Sequence, residues 1–410
     1  MKKSIFLLKT FFAISLTVII STACSGNGSS GVSREPSEPL FEISQPRFTL
    51  SDGVYTNKKA QKTNRAILMF AGDLMMSYDQ ARDIAKGSYD YITSFDRVSG
   101  IFAQSDFAAA NLETLISHSA PYRWDVNNID TPQGKMPNCN SSPTFLGAVK
   151  RAGFDAVVTA NNHCLDAGFQ GIFETIDNLE RYKLLHTGTF KDKDDDRFII
   201  IDVNGIKIAL LSYGTGTLNS MVDLYTDEQM APHINRYEED AVERDIAAAK
   251  ARGAEYIIVF MHWGGQNSTE LNSSRLKRAL QIAEAGADYI AGAHPHVINP
   301  YDIITTSDGR EVPCMYSMGN FLSGMDEVKG HLNRDSLILR IELEKSDGGV
   351  TLAEDSYIPC YIRTKHKEDK YVIVPCGEEY GGIDTKGTAT SRIRTKELLG
   401  EKISEFKIVN

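Results

Sequence analysis

The stretch Ala160-Asn161-Asn162-His163-Cys164-Leu165-Asp166 places amide, imidazole and carboxylate side chains within a few residues of one another. It follows the apolar run 154–159, which is typical of a buried strand in a parallel sheet, and it precedes a helical pattern that starts near Gly168. In open α/β sheets, ligands bind at the carboxyl ends of the strands. Because an apolar core needs no such cluster, we expect this stretch to form one side of a functional site.

Other predicted strands end in polar side chains of the same kinds. A lone histidine is usually structural, and an aspartate at a strand end often caps the next helix, so only the whole set supports a prediction. Carboxylate and amide oxygens with imidazole nitrogens suit Mn²⁺, Fe²⁺ or Zn²⁺. The set is too large for one tetrahedral site and fits two metals that share a carboxylate, a pair that activates water for an in-line displacement. These strand-end residues are Asp73, Glu113, Asn162, His163, His262, His294 and His296.

The composition favours an ordinary globular protein. The chain has 410 residues, of which 42% are hydrophobic and 24% are charged, and its net charge is −10. It contains no basic run, so nucleic acid is excluded as a partner. An anionic ligand would need local positive charge, and bound metal ions are the obvious source.

The first residues resemble a bacterial lipoprotein leader. Residues 1–23 combine two early lysines with a short apolar run, as in a signal peptide, and Cys24 is the expected lipidated residue. Ser21 stands where an aliphatic residue is usual, so a plain signal peptide with an incidental cysteine is the alternative. Residues 24–62 then form a tether. We expect a membrane-anchored protein on the periplasmic or extracellular face of the cell envelope.

The rest of the chain predicts an α/β fold. Its Asn204-Gly205 pair predicts a hairpin turn, and residues 117–142 read as a long loop that could act as a lid. Cys360 and Cys376 flank a short polar segment and could form a disulfide. Helical patterns lie at 89–104, 143–152, 171–182, 234–252, 274–285 and 395–406. We predict a main domain at 63–345 and an extension at 346–410 with mixed strand and loop signals and a final helix.

The order of motifs resembles the CapA family of poly-γ-glutamate capsule-synthesis proteins, which looks like a branch of the calcineurin-like metallophosphoesterases. The resemblance covers residues 66–325 and implies a metallophosphoesterase-like sandwich of mixed β-sheets flanked by helices, with a β-rich C-terminal extension. The motifs are Gly-Asp-Leu-Met (72–75), Asn-Leu-Glu (111–113), Ala-Asn-Asn-His-x-x-Asp (160–166), His-Trp-Gly (262–264), His-Pro-His-Val (294–297) and Tyr-Ser-Met-Gly-Asn-Phe (316–321).

The resemblance also implies roles for single residues. His163 would protonate the leaving group, and Asp166 would orient the His163 ring. Met75 stands where phosphoesterases usually carry a histidine ligand, which weakens the first metal site, and Gln266 replaces a glutamate that is common in the family. The implied ligands are Asp73 and His296 for the first of two divalent metals, Glu113 as the bridge, and Asn162, His262 and His294 for the second; the implied substrate-binding residues are Asn161, Trp263 and Asn320.

Three hypotheses on function follow from these features. The first is an envelope hydrolase that cleaves a phosphodiester or the γ-glutamyl amide of an anionic polymer. The second is a non-catalytic component that binds, tethers or exports such a polymer, alongside other capsule-synthesis proteins. The third is a scaffold protein with a vestigial site. The sequence leaves these open, because the same ligands serve binding and hydrolysis.

Overall fold

A computed structural model describes most of the chain after residue 45. The predicted signal peptide, Cys24 and most of the tether lie outside the described residues. None of the described helices is long and apolar enough to span a bilayer. The described residues are 46–58, 63–87, 90–119, 128–131, 134–137, 139–216, 218–219, 222–326, 328, 330–364, 370–383 and 385–407.

Strands dominate the architecture and fall into two large mixed sheets and one hairpin. Along the described chain they are β1 (Phe48–Ser51), β2 (Val54–Asn57), β3 (Arg65–Leu74), β4 (Phe107–Leu112), β5 (Asn128–Thr131), β6 (Gly134–Pro137), β7 (Ala156–Val158), β8 (Leu185–Thr187), β9 (Phe198–Val203), β10 (Ile206–Gly214), β11 (Tyr256–His262), β12 (Tyr289–Ala293), β13 (Tyr301–Thr305), β14 (Glu311–Met315), β15 (Asn320–Leu322), β16 (Asp335–Ser346), β17 (Gly349–Arg363), β18 (Val372–Pro375) and β19 (Ser404–Glu405).

The helices are shorter and lie between the strands. The described ones are α1 (Tyr78–Ala85), α2 (Ser99–Phe102), α3 (Thr144–Ala152), α4 (Gly168–Arg181), α5 (Asp227–Met230), α6 (Glu239–Ala251), α7 (Ser273–Glu284) and α8 (Lys386–Leu399), with 3₁₀ turns at Tyr91–Phe95, Val222–Leu224, Leu332–Arg334 and Glu378–Tyr380.

Each large sheet contains a block of four parallel strands, which lies inside the first sheet and extends to the β8 edge of the second. The first sheet has the order β1-β2-β9-β10-β11-β12-β14-β13, and β10, β11, β12 and β14 run parallel. The second has the order β18-β17-β16-β3-β4-β7-β8, and β3, β4, β7 and β8 run parallel. Parallel strands bring their carboxyl ends to one edge, which fixes where the polar strand ends gather.

The two sheets pack face to face through their apolar side chains. Phe70 of the second sheet lies 6.5 Å from Phe260 of the first, measured between ring centroids. Helices α6 and α7 pack with the other side of the first sheet, and α3 packs with the second, each through a separate apolar cluster. The predicted fold, a sandwich of mixed sheets flanked by helices, is confirmed.

Local predictions succeed where apolar periodicity is strong. The Asn-Gly hairpin is confirmed, since Asn204 and Gly205 have φ of 55° and 84° and link β9 to β10. The predicted helix at 89–104 is wrong: a 3₁₀ turn and the four-residue α2 stand there. The last helix is α8 rather than 395–406, and its buried face holds Thr388, Ser391, Thr395 and Leu399. Because most of these buried residues are polar, this face of the helix carries no apolar stripe.

The segment after residue 345 continues the second sheet. β17 pairs with β16 along its length, from Ser346↔Gly349 to Asp335↔Tyr361, and β18 and β19 both pair with β17. The suggested bridge between Cys360 and Cys376 is wrong, because both thiols are free and buried.

Candidate metal centre

Five strand ends bring the predicted polar residues to one edge of the sandwich. Asp73 lies near the end of β3, and β15 pairs beside it with Asn320 opposite Asp73. The close approach of β3 to the start of β15 depends on Gly72, because a Cβ there would overlap the carbonyl oxygen of Gly319. His262 ends β11, and the loop with His294 and His296 follows β12.

The carboxylates and imidazoles are buried and close to one another. Asp73, Glu113 and His296 are 0% exposed and His262 is 1% exposed. His296 Nδ1 lies 3.0 Å from Asp73 Oδ2 and its Nε2 lies 3.8 Å from Glu113 Oε1. His262 Nε2 lies 3.5 Å from the same Glu113 oxygen. The structure therefore brings together the side chains that the sequence proposed as ligands.

Two atoms of this cluster are buried without a hydrogen-bond partner among the described residues: Glu113 Oε1 and His294 Nδ1. A buried polar atom without a partner is costly, and both are strong metal ligands. Glu113 belongs to two groups of ligand atoms lying within 4.8 Å of one another, one with His294 and His296 and one with Asp73 and His262. The donor set fits divalent cation binding, and Glu113 is common to both groups.

The sixth proposed ligand, Asn162, contacts this cluster through His262. Its Oδ1 lies 2.7 Å from His262 Nε2. The side chain is 8% exposed, so its amide oxygen faces the buried histidine rather than solvent. Amide oxygen and imidazole nitrogen can both ligate a divalent metal.

Electrostatics at the centre favours cation binding. Burial and then the Asp73 carboxylate raise the pKa of Glu113 well above its usual value. Burial and then His296 lower the pKa of His294 to about 4, and burial and then His294 lower that of His262. Neutral imidazoles keep a lone pair for a metal. Among the described residues, neither Asp73 nor Glu113 pairs with lysine or arginine.

Asn111, which the sequence analysis did not assign to the site, sits at its middle. Its Nδ2 donates to Asp73 Oδ1 at 2.8 Å and lies 3.5 Å from Glu113 Oε2 and 3.2 Å from His262 Nδ1. Its Oδ1 accepts from Asn161 Nδ2 at 3.3 Å. One amide thus holds three proposed ligands in place. Its sequence signals were its position at a strand end, two residues before Glu113, and its place in the Asn-Leu-Glu motif.

His163 and Asp166 form a separate buried pair beside the cluster. His163 Nδ1 lies 2.7 Å from Asp166 Oδ2, and the backbone N–H of Cys139 donates to the same oxygen at 2.7 Å. A carboxylate on Nδ1 fixes the tautomer and turns Nε2 towards the open side of the ring. Asp166 is 0% exposed, so the pair cannot swing out to solvent.

Cys139 also ties the long loop to the site. Leu115 N–H donates to the Cys139 carbonyl at 2.9 Å, and Ser117 exchanges hydrogen bonds with Asn140. Between these anchored ends the described part of the loop forms the β5–β6 hairpin. The predicted structureless lid therefore contains regular structure.

The loop with the two histidines has unusual backbone angles. His294 and His296 have φ of 97° and 59°, a region that costs a non-glycine residue of order 1–3 kcal/mol. Its neighbours hold it there: Asn320 Oδ1 lies 3.1 Å from His296 Nδ1, and Asn333 Nδ2 donates to the His296 carbonyl at 3.2 Å. Such strain is common at functional sites.

The three residues expected to bind substrate are buried and form hydrogen bonds within the protein, and their substrate role stays a prediction. Trp263 is 0% exposed and donates from Nε1 to the Tyr316 carbonyl at 2.9 Å. Asn161 is 1% exposed and donates to the Leu112 carbonyl at 2.8 Å. Asn320 is 0% exposed and spans His296 and Asn333. Each amide or indole is used to hold the backbone around the site.

The two departures from the family pattern lie close to the centre. Met75 is 7% exposed, and its backbone N–H donates to the Leu322 carbonyl at 2.8 Å. Its thioether is a soft and weak donor for hard divalent ions. Gln266 Nε2 lies 3.3 Å from His296 Nε2, so a neutral amide occupies the position of the family's carboxylate.

Fold and site together define a mixed α/β sandwich with a candidate metal centre at its strand ends. The chain belongs to the family described as bacterial capsule synthesis protein PGA_cap, whose sequence profile matches residues 67–325. The resemblance to CapA proteins is confirmed.

Among similar proteins is the capsule biosynthesis protein CapA of Bacillus anthracis, which is 26% identical over 72% of this chain and 68% of its own length. Another is the PGA biosynthesis protein CapA of Bacillus subtilis strain 168, which is 27% identical over 68% of each chain. The calcineurin-like phosphoesterase YfkN from Bacillus subtilis has a solved structure that is 12% identical with a TM-score of 0.41, over 81% of this chain and 97% of that chain.

Proposed function

We propose that this protein is a metal-dependent hydrolase of capsule or exopolymer biosynthesis that cleaves a phosphodiester or a γ-glutamyl amide of an anionic polymer. The observation that carries this proposal is the pair of buried, unpartnered ligand atoms, Glu113 Oε1 and His294 Nδ1, beside the His163–Asp166 pair. An anionic polymer would be repelled by Asp73 and Glu113 unless bound cations offset them. Membership of the capsule-synthesis family supports the substrate class.

Asp73, Glu113, Asn162, His262, His294 and His296 would hold two divalent ions, which supply activation of water and stabilisation of developing negative charge. His163 then holds the proton at Nε2 while Asp166 holds Nδ1–H. In hydrolysis the water oxygen bonds to phosphorus or to the carbonyl carbon, and the bond to the leaving oxygen or nitrogen breaks. That leaving atom takes the His163 proton, the proton of the water passes to solvent, and His163 regains a proton from solvent before the next turnover.

The first test asks whether cations bind here. We expect metal analysis to give one or two Mn²⁺, Fe²⁺ or Zn²⁺ per chain, and addition of metal to raise the Tm because it binds only the folded state. Glu113→Gln should remove most of this thermal shift while the metal-free variant stays as stable as the wild type, since the amide keeps the shape of the carboxyl group and places no charge beside Asp73. A wild type that binds no divalent metal would overturn the proposal.

The second test asks for turnover. Metal-loaded protein should hydrolyse bis(4-nitrophenyl) phosphate or γ-glutamyl polymer, and His294→Ala should abolish the reaction. His233→Ala is the matched control, because that ring contacts the Phe190 carbonyl and Phe169 away from the cluster. Equal activity in His294→Ala and wild type would refute the assignment.

A second candidate is a polymer-binding or export component without turnover. Met75 favours it, because the residue removes an expected histidine ligand and lowers the expected occupancy of one metal position. This candidate predicts that polymer binding survives His163→Ala and that no chain is shortened by the wild type. Loss of polymer binding in His163→Ala, or polymer cleavage by the wild type, would contradict it.

We also propose that Cys24 carries a lipid that anchors the protein to the cell envelope. The apolar leader before Cys24 and the polar tether after it support this localisation. Metabolic labelling with palmitate should mark the wild type and not Cys24→Ser. Equal labelling of both forms, or none of either, would argue against it.

A further inference from the structure

The described residues that follow β10, 215–216, 218–219 and 222–225, include two that contact the candidate centre. At the start of this segment the Thr215 N–H donates to the His262 carbonyl at 2.9 Å. At Asn219 the backbone N–H donates to the Asn162 carbonyl at 2.8 Å. The segment is therefore tied to the backbones of two proposed metal ligands.

Apolar contacts also hold the described residues of this segment in place. Leu218 is 7% exposed and belongs to an apolar cluster with Cys164 and Leu165, the residues that directly follow His163. Further along, Tyr225 lies on Phe169 of α4, with 4.0 Å between ring centroids. Side chains held on such a support lose little conformational entropy when they bind a ligand.

The side chain of Asn219 points at the nitrogen that would transfer the proton. Its Nδ2 lies 3.4 Å from His163 Nε2, at the long end of the hydrogen-bond range. Asn219 is half-buried. Among the described residues, its second amide hydrogen and its Oδ1 have no hydrogen-bond partner. A weak resting contact of this kind is easily exchanged for a contact with a substrate.

We propose that Asn219 is a substrate-contacting residue that donates a hydrogen bond from Nδ2 to the phosphoryl or carbonyl oxygen next to the leaving atom. This inference rests on the proposed function. Because the donor and His163 Nε2 are neighbours, the oxygen that Asn219 binds would hold the leaving atom within reach of the proton. The neutral amide also suits an anionic substrate better than a carboxylate would.

Two substitutions separate this role from a structural one. Asn219→Asp keeps the shape and the backbone hydrogen bond to Asn162 but replaces the donor with an acceptor. Asn219→Ala removes the side chain and leaves the backbone tie. We expect both variants to keep the wild-type Tm and metal content, since neither changes a proposed ligand.

In metal-loaded protein with bis(4-nitrophenyl) phosphate, Asn219→Ala should lower kcat/KM by about 100- to 1,000-fold, mostly through kcat, as removal of one preorganised donor does elsewhere. Asn219→Asp should lose at least as much. Inorganic phosphate, used as an inhibitor and as a ligand in calorimetry, should bind Asn219→Asp at least about fivefold more weakly because of like charge. Values within twofold of the wild type for both variants would overturn this inference alone.

Phosphate binding also distinguishes a failure of the proposed function from a failure of this inference. If the wild type binds phosphate without turnover, the hydrolase assignment fails while weaker phosphate binding by Asn219→Asp still supports the contact. If metal-loaded wild type shows neither turnover nor phosphate binding, the proposed function and this inference both fail. A fall in Tm or metal content that accounts for the whole kinetic loss would make Asn219 a structural residue and overturn the inference.

Discussion

Gly72→Ala tests whether the close contact between β3 and β15 builds the centre. The new methyl group would overlap the Gly319 carbonyl oxygen and lie 3.0 Å from the Gly319 carbonyl carbon and 3.3 Å from that of Met318. That same oxygen accepts the Asp73 backbone N–H at 3.1 Å. Relief of the overlap requires the strands to separate by about 1 Å, which breaks this hydrogen bond and moves Asp73.

The expected cost combines two effects. Leaving the buried Asp73 N–H without an acceptor costs about 1–3 kcal/mol. Forcing extra volume into packed backbone costs about 1–3 kcal/mol more. We therefore expect the free energy of unfolding to fall by about 2–6 kcal/mol, the sum of these two costs. Metal affinity should fall with it, because Asp73 is displaced.

The assay is urea unfolding, with equilibrium dialysis against Zn²⁺ or Mn²⁺ for the metal. Gly100→Ala is the matched control, because nothing lies within 4 Å of a Cβ at that position in the short helix α2. There the same chemical change should be neutral or stabilising by up to about 1 kcal/mol. If Gly72→Ala matches Gly100→Ala in stability and the wild type in metal binding, the β3–β15 contact does not build the centre.

Three further results are expected. Asn111→Ala should weaken metal binding by about 10- to 100-fold in calorimetry while the fold is retained, because it removes the amide that orients three ligands; unchanged affinity would contradict this. Burial opposes ionisation of Glu174, but hydrogen bonds led by those from Ser117 and Ser119 lower its pKa to about 2. Its stabilisation should be complete above the unfolded pKa of about 4.5 and disappear as pH falls towards 2, so urea unfolding of wild type and Glu174→Gln should converge over that window; a constant gap would refute it. In a Cys24→Ser variant, native protein should show no fast-reacting thiol and unfolded protein five, with a Tm unaffected by reductant; fewer than five would indicate a disulfide.

Apolar runs made the central strands predictable. The runs at 66–71, 107–110 and 256–261 all became strands, since a strand buried on both faces needs continuous apolar residues. The runs carry no information on which strands become neighbours, so neither the pairing of β16 with β3 nor the long β17 was foreseen. Helices buried through small polar residues, such as α8, have no apolar stripe to detect.

The sequence predicted which polar side chains meet at the site, but it did not predict which residues support them. Asp73, Glu113 and the histidines stand at strand ends, where topology alone brings them together. Asn111 and Trp263 lie close in sequence to Glu113 and His262, whereas Asn320 lies far from every proposed ligand. Only three-dimensional contacts distinguish a ligand from a side chain that holds the backbone. Trp263 and Asn320 are buried, and their substrate role stays a prediction.

Three costly features coincide at this edge of the sandwich: two buried carboxylates without a lysine or arginine partner among the described residues, two unpartnered ligand atoms, and two histidines with positive φ. Sequences usually avoid such features, and they persist where function requires them. A receptor that bound an anionic polymer without a cation would gain nothing from Asp73 and Glu113, since both would repel its ligand. Under both proposals, cations bound at the centre would offset this repulsion, for polymer binding as much as for hydrolysis. The two candidate functions would then differ in what His163 and Asn219 do to the bound polymer.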